Sequence, residues 1–174
     1  MTNQEQYDVI VIGGGASGMM AAAVASKEGK TVLVIEKNYM LGAKLRITGG
    51  GRCNITNDED DIRVFMKSYG PAEPFLYSAF SEFNKNDTFK YFEERRLPLV
   101  VQARKRAFPH TEKAEDVCAV MERDLENKFV TVKLNTRVEK ILHDSKKITG
   151  ILTNKGSFTA KSYILATGGL SHPE

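Results

Sequence analysis

Tyr7-Asp8-Val9-Ile10-Val11-Ile12-Gly13-Gly14-Gly15-Ala16-Ser17-Gly18 decides the fold of this chain, and Thr31-Val32-Leu33-Val34-Ile35-Glu36 completes the unit it begins. Val9 to Ile12 form an unbroken apolar run, as expected of a parallel strand covered on both faces. The spaced glycines then turn the backbone into a helix. Gly13 makes the turn, Gly15 lets a pyrophosphate approach the main chain, and Gly18 permits close packing of helix on strand. The helix N-terminus supplies unpaired N–H groups and partial positive charge, so a diphosphate can be held there without a lysine. Glu36 ends the second strand 18 residues after Gly18, where a carboxylate can accept hydrogen bonds from ribose hydroxyls. A lone glycine pattern is weak, but here strand, helix and acid all agree on a dinucleotide-binding βαβ unit. A phosphate-binding P-loop would end in Gly-Lys-Ser/Thr, whereas this turn ends Gly18-Met19-Met20. A nucleophile elbow would need a glycine where Met19 stands, so Ser17 reads as a helix-start residue near phosphate.

Composition sets wide bounds. The chain has 174 residues, 41% of them hydrophobic and 27% charged, with a net charge of +3. That suits a soluble domain with one sizeable core, and the charge is too small to imply nucleic acid or an anionic membrane as partner. Cys53 and Cys118 form neither a disulfide framework nor a metal spacing, and His110, His143 and His172 are scattered, so no metal is expected and a reducing cytoplasm fits best. The apolar stretch from Val9 to Ala25 lacks the basic flank of a signal peptide and is interrupted by glycines, so it reads as buried strand plus helix. Asn54-Ile55-Thr56 has the form of a glycosylation sequon, without expected consequence in the absence of a secretory signal.

The first helix should run from about Ala16 to Glu28 and stop at Gly29. After Glu36 comes a long glycine-rich segment, Leu41 to Asn57. Helical spacing returns at Phe75, Leu76, Ala79, Phe80 and Phe83, read as core, and a short helix is expected from Asp87 as N-cap with Phe89 and Phe92 inward. A third helix carries Ala114, Val117, Cys118, Met121 and Leu125 on one stripe, which makes Cys118 a small buried hydrophobe. A helical segment of about 60–126 is thus expected before four short β-rich runs, Val130–Leu134, Arg137–His143, Lys147–Thr153 and Ser157–Ala160, forming an antiparallel meander. Tyr163-Ile-Leu-Ala166-Thr167-Gly168-Gly169 reads as a further buried parallel strand ending in a glycine turn.

These motifs carry a resemblance. Gly13 to Gly18, Glu36-Lys37, Gly42-Ala-Lys44-Leu-Arg-Ile-Thr48-Gly-Gly50-Gly-Arg52-Cys53-Asn54-Ile-Thr-Asn57, Phe108-Pro109 and Leu165-Ala-Thr-Gly-Gly-Leu-Ser171 resemble the bacterial NAD(P)/FAD-dependent oxidoreductase family, flavoproteins that include aminoacetone oxidase-like and 3-dehydro-bile-acid reductase-like members. The resemblance covers nearly the whole chain. It implies an α/β fold, namely a Rossmann-like FAD-binding domain of glutathione-reductase type, with a parallel sheet and an antiparallel β-meander crossover. The implied cofactor is FAD. Its pyrophosphate would rest on Gly13, Gly15, Ala16, Ser17 and Gly18, and its adenosine ribose on Glu36 with Lys37 beside it. The second glycine segment, with Lys44, Gly50, Arg52, Cys53 and Asn54, would lie along the pyrophosphate, ribityl and flavin portion. Val138 would meet the adenine through its backbone, and Ala166, Thr167 and Gly168 would return the chain to the nucleotide.

Glycines at 49 to 51 let main-chain N–H groups approach a ligand, and Arg52 offers a forked donor to a phosphate or to the flavin's electron-rich edge. The alternative reading of Arg52 is an ion-pair residue that orders its own loop. Cys53 has no second cysteine nearby for disulfide exchange. The basic cluster Arg104-Lys105-Arg106, with Arg95-Arg96, reads as a solvated loop that could attract a phosphorylated reductant such as NADPH. Family members continue past the segment matching Ser171-His172-Pro173, so the sequence is expected to be an N-terminal portion ending before the substrate domain, with no catalytic residue assigned. The expected function is the FAD-binding part of a flavin-dependent oxidoreductase acting on a small organic substrate, with NAD(P)H as candidate reductant. Two rival readings are a nucleotide-binding module without turnover and a flavin protein that modifies tRNA.

Overall fold

The computed structural model describes residues 6–169. Ser171 and His172, for which the sequence carries expectations, lie outside the described residues. The chain forms two compact units, one comprising the residues up to Leu45 and from Met121 onward, the other Arg46–Val120.

The first unit is built on β1 (Gln6–Ile12), α1 (Ala16–Lys27) and β2 (Val32–Ile35), as the opening sequence predicts. It continues with β6 (Val130–Lys133), β7 (Val138–His143), β8 (Ile148–Thr153) and β9 (Gly156–Leu165). The sheet order is β6-β2-β1-β9-β8-β7. β6, β2, β1 and β9 run parallel, β8 adds antiparallel to β9, and β7 adds antiparallel to β8. Helix α1 packs against β1, β2 and β9. Val138, Ile141, Phe158, Ala160 and Tyr163 pack against a buried cluster of Tyr7, Ile10, Ile12, Leu33, Ile35 and Ile151. Ile10, Leu33 and Ile151 are fully buried, and each such side chain contributes about 1.5–3 kcal/mol by leaving water.

Two expectations about the strands change. Val130–Lys133 leaves the meander and pairs with β2, Val32 opposite Val130. Ser157–Ala160 and Tyr163–Leu165 form one continuous strand, whose start pairs with β8 and whose end pairs with β1. The end of β9 is also less buried than expected, with Leu165 61% exposed.

Where β1 begins, Asp8 ties three elements together. Its carboxylate accepts from Lys161 Nζ at 2.7 Å and from the Thr31 N–H and hydroxyl, each at 2.9 Å. The bond from Lys161, and then those from Thr31, hold the Asp8 carboxyl well below the usual carboxylate range. A depressed folded-state value stabilises above the unfolded value of about 3.9 and loses that contribution as pH falls. Asp8→Asn is therefore expected to lower the urea midpoint at pH 7 and to flatten its further decline below about pH 4. Parallel acid limbs for the variant and the native sequence would contradict this.

The second unit contains β3 (Thr56–Asn57), α3 (Ile62–Lys67), α4 (Glu73–Glu82), α5 (Lys85–Glu93), β4 (Leu99–Gln102), β5 (Arg106–Pro109) and most of α6 (Ala114–Arg123). β3, β5 and β4 make a small antiparallel sheet. The α6 stripe is as expected, with Ala114, Val117, Cys118, Met121 and Leu125 all buried. Helix α4 forms where the spacing predicts, but none of its residues is buried and Phe75 is 85% exposed. Helix α5 starts earlier than expected: Asn84 is the N-cap, and Asp87 answers it as the third-position partner of a capping box. The basic stretch is a hairpin tip rather than a free loop. Arg104 and Lys105 both hold left-handed backbone (φ 62° and 56°), Asn57 Nδ2 donates to Arg104 O, and Lys105 pairs with Glu59 at 2.8 Å.

Candidate functional site

In the first unit, three chain segments meet at the C-terminal ends of parallel strands, where α/β sheets bind ligands. Gly13 N donates to Ile35 O, Ala166 N donates to Ile12 O, and Glu36 N donates to Lys133 O, at 2.8, 2.8 and 3.0 Å. Gly13, Glu36 and Ala166 are thereby fixed beside one another.

The glycines divide by role. Gly13 has φ +110°, and a Cβ there would lie 2.3 Å from Ala166 O; a Cβ on Gly18 would lie 1.9 Å from Gly13 O. Both positions therefore serve packing. Gly15 differs, because nothing comes within 4 Å of where its Cβ would be. It is the N-cap of α1, no side chain caps the helix, and the first turn carries no acid. Ala16 and Ser17 are exposed at this end. The outcome is a helix end with open N–H donors and space in front of it, which fits a diphosphate.

Glu36 is only 8% exposed. Its Oε2 accepts from Gly14 N at 2.7 Å, and its Oε1 accepts from Asn38 N at 2.8 Å and Asn38 Nδ2 at 2.7 Å. The carboxylate thus braces the glycine turn, a task the strand-end position alone did not disclose. Lys37 is exposed next to it. Lys44, in the first turn of the short helix α2 (Ala43–Ile47), donates to Gly169 O and ties that helix to the loop after β9. Thr167 and Gly168 are exposed in this loop, Gly168 with φ +73°. Val138 packs its side chain into the core while its backbone pairs with Thr153.

In the second unit, Gly49, Gly50 and Gly51 take successive left-handed conformations (φ 57°, 67° and 83°), with open space around the last two. A Cβ on Gly49 would meet Asn54 N at 3.0 Å and the Phe108 ring at 3.3 Å. The Asn54 amide, with its nitrogen toward two carbonyls, donates to Thr56 O at 3.1 Å and Ala107 O at 3.3 Å. Cys53 is 1% exposed, and burial pushes its thiol up, partly offset by a hydrogen bond with Thr48. It has the features of a packed thiol rather than a nucleophile. Arg52 lies over the Phe108 ring, 4.5 Å from its centroid.

Comparison with known proteins agrees with this geometry. The model of a family described as HI0933-like protein Rossmann domain matches residues 7–174. The ribosomal RNA dihydrouridine synthase of Escherichia coli is 30% identical over 172 residues, covering 97% of this chain and 41% of that protein. The 3-dehydro-bile acid delta(4,6)-reductase of Clostridium scindens is 32% identical over 162 residues, covering 91% of this chain and 38% of that protein. The chain therefore spans about two-fifths of the length of these curated relatives. Among solved structures, the open conformation of a flavocytochrome c3 fumarate reductase superposes with a TM-score of 0.74 at 23% identity, over 95% of this chain and 34% of that one.

Proposed function

We propose, because this chain belongs to the HI0933-like family and is its Rossmann-type FAD-binding domain, that the protein built on it is a flavin-dependent reductase of carbon–carbon double bonds conjugated to a carbonyl, acting on a small organic substrate. The observation that carries the cofactor half is the uncapped end of α1 at Gly15, with its open space and its braced neighbour Glu36. In this reading Gly15, Ala16, Ser17 and Gly18 present main-chain donors to the diphosphate, while Gly13 holds the turn. Glu36 accepts from the adenosine ribose with the lone pairs its three protein donors leave, and Lys37 flanks it. Val138 offers its backbone to the adenine. Lys44 holds the loop of Ala166, Thr167 and Gly168 through its bond to Gly169 O. Bound FAD would supply hydride transfer.

The substrate half is supported by the chemistry that the relatives' names share. Dihydrouridine is uridine with a saturated double bond next to a ring carbonyl, and a 3-dehydro-delta(4,6) bile acid carries double bonds conjugated with its 3-oxo group. Fumarate likewise has its double bond between two carboxyl groups. A second reading, favoured by the RNA synthase relative, places the same double bond in a uracil ring of RNA. The test is to purify the complete protein, release its flavin by denaturation, and then reduce the native protein anaerobically with NADH or NADPH. Reoxidation by a cyclic enone is the expected result. Reoxidation by a uridine-containing ribosomal RNA fragment alone would favour the second reading. Reoxidation by oxygen alone would overturn both, and absence of flavin would overturn the cofactor half.

A further inference from the structure

The two oxygens of the Glu36 carboxylate have unequal company. Oε1 accepts from Asn38 N at 2.8 Å and from Asn38 Nδ2 at 2.7 Å, whereas among the described residues Oε2 accepts from Gly14 N alone, at 2.7 Å. A carboxylate offers about four lone-pair sites, divided equally between its oxygens. Asn38 therefore fills Oε1 by itself, and the site left open is on Oε2. Asn38 is delivered to Oε1 by the backbone. Asn135 N donates to Asn38 O and Thr136 N donates to Glu36 O, each at 2.9 Å, while Glu36 N donates to Lys133 O at 3.0 Å. The segment 36–38 is thus tied to the connection between β6 and β7, within the first unit. That connection is itself set. Asn135 takes left-handed backbone (φ 51°), which asparagine tolerates better than most residues, and Thr136 is 1% exposed with its hydroxyl donating to Leu134 O at 2.9 Å. The glycine turn closes the other side: a Cβ on Gly14 would lie 3.1 Å from Glu36 Cβ and 3.2 Å from Oε2. Turning the carboxylate to present Oε1 to a ligand would break the bonds to Asn38 and Gly14.

We propose that Asn38 is a positioning residue which, by occupying Oε1, makes Glu36 an acceptor for one hydroxyl of the adenosine ribose of bound FAD, through Oε2, and not for the neighbouring pair of hydroxyls. This rests on the cofactor reading above and adds to it which oxygen receives the ribose and how many hydroxyls it takes. A carboxylate with both oxygens open could accept from the two ribose hydroxyls together. Here the second hydroxyl finds no acceptor site at Glu36, because Asn38 has taken it.

The test uses the complete protein freed of its flavin and follows flavin fluorescence during titration with FAD and with two analogues, one lacking the 2′-hydroxyl and one the 3′-hydroxyl of the adenosine ribose. In the native sequence one analogue is expected to bind about tenfold or more weakly than FAD, the size of one hydrogen bond to a charged acceptor, and the other within about twofold of FAD. Asn38→Ala frees a site on Oε1, so the second analogue should then fall about threefold or more behind FAD as well. Each comparison is made on one protein, so a general loosening of the site cancels from the ratio. In Glu36→Gln the amide has one acceptor oxygen, which Gly14 or Asn38 claims, and both analogues should bind about as FAD does. Equal losses for the two analogues in the native sequence would mean that both hydroxyls are received, and the proposal fails while the cofactor reading stands. No loss with either analogue removes the ribose from Glu36 and the proposal with it. An unchanged contrast in Asn38→Ala would overturn the role of Asn38, and a contrast that survives in Glu36→Gln would place its source in another residue and overturn the proposal. The native comparison needs no variant, so the proposal stays open to refutation even if Asn38→Ala does not fold. If the complete protein takes up no FAD, the cofactor reading fails first.

Discussion

Gly18→Ala is expected to cost the first unit about 3 kcal/mol or more, at the upper end of what overpacking does to a core. The added methyl carbon would lie 1.9 Å from Gly13 O and 3.0 Å from Gly13 C. Both are backbone atoms, so no side chain can swing aside. Gly13 has no room to retreat, because its N–H is bonded to Ile35 O and the Ala166 carbonyl crowds it from the other side. A domain with about 5–15 kcal/mol of total stability would be left marginal. The informative control is Gly15→Ala. Gly15 has φ −78° and ψ −173°, extended backbone that alanine adopts freely, and its methyl would meet nothing. Its cost to folding should be about 1 kcal/mol or less, as for a changed N-cap. Yet that methyl fills the space through which a diphosphate reaches the helix N–H groups, so FAD affinity should drop about a hundredfold, roughly 2.7 kcal/mol. Urea unfolding and FAD titration of the two variants separate packing from binding. Normal FAD affinity in Gly15→Ala would show that the diphosphate does not lie over Gly15.

The split between these two glycines explains what the sequence could and could not disclose. The order β1, α1, β2 was legible because Val9 to Ile12 and Val32 to Ile35 are apolar at every position, as only strands covered on both faces are. The stripe on α6 was legible for the same kind of reason. The aromatics of α4 have equally good helical spacing, but periodicity reports a face and not what covers it, so the spacing places Phe75 in the core whereas the fold leaves it exposed. The place of Val130–Lys133 in the chain suggests the meander, whereas pairing with β2 is a non-local choice that local pattern does not encode. The β4–β5 hairpin is not legible in the sequence because its tip, Ala103-Arg104-Lys105, uses left-handed backbone at Arg104 and Lys105 without the glycine or asparagine that normally marks it. At the site, residue types and spacing pointed to Gly15 and Glu36. The Gly14 and Asn38 donors on Glu36, and the Gln102 and Glu112 contacts of Arg52, exist only once the chain has folded.

Glu36→Ala is the second change expected to have a large effect, because the carboxylate braces the glycine turn as well as standing where the ribose is proposed to bind. It accepts three hydrogen bonds at 2.7–2.8 Å while 8% exposed. Hydrogen bonds to a charged acceptor contribute about 1.5–3 kcal/mol each, and a buried donor left without a partner adds a desolvation cost. Asn38 can turn toward water, but the Gly14 N–H is buried in the turn, so a net loss of about 3 kcal/mol is expected. Glu36→Gln keeps the shape but offers one acceptor oxygen to donors on both sides, which forces its amide N–H groups against Gly14 or Asn38; about 2 kcal/mol should go. Both variants should also loosen the turn that presents Gly15, so FAD affinity should fall even in the fraction that remains folded. Urea unfolding with FAD titration at a temperature where the variants are folded measures the two effects independently. An unchanged midpoint in Glu36→Ala would mean the brace contributes nothing. A lowered midpoint with unchanged FAD affinity would leave Glu36 as a brace alone and would remove the ribose from its role.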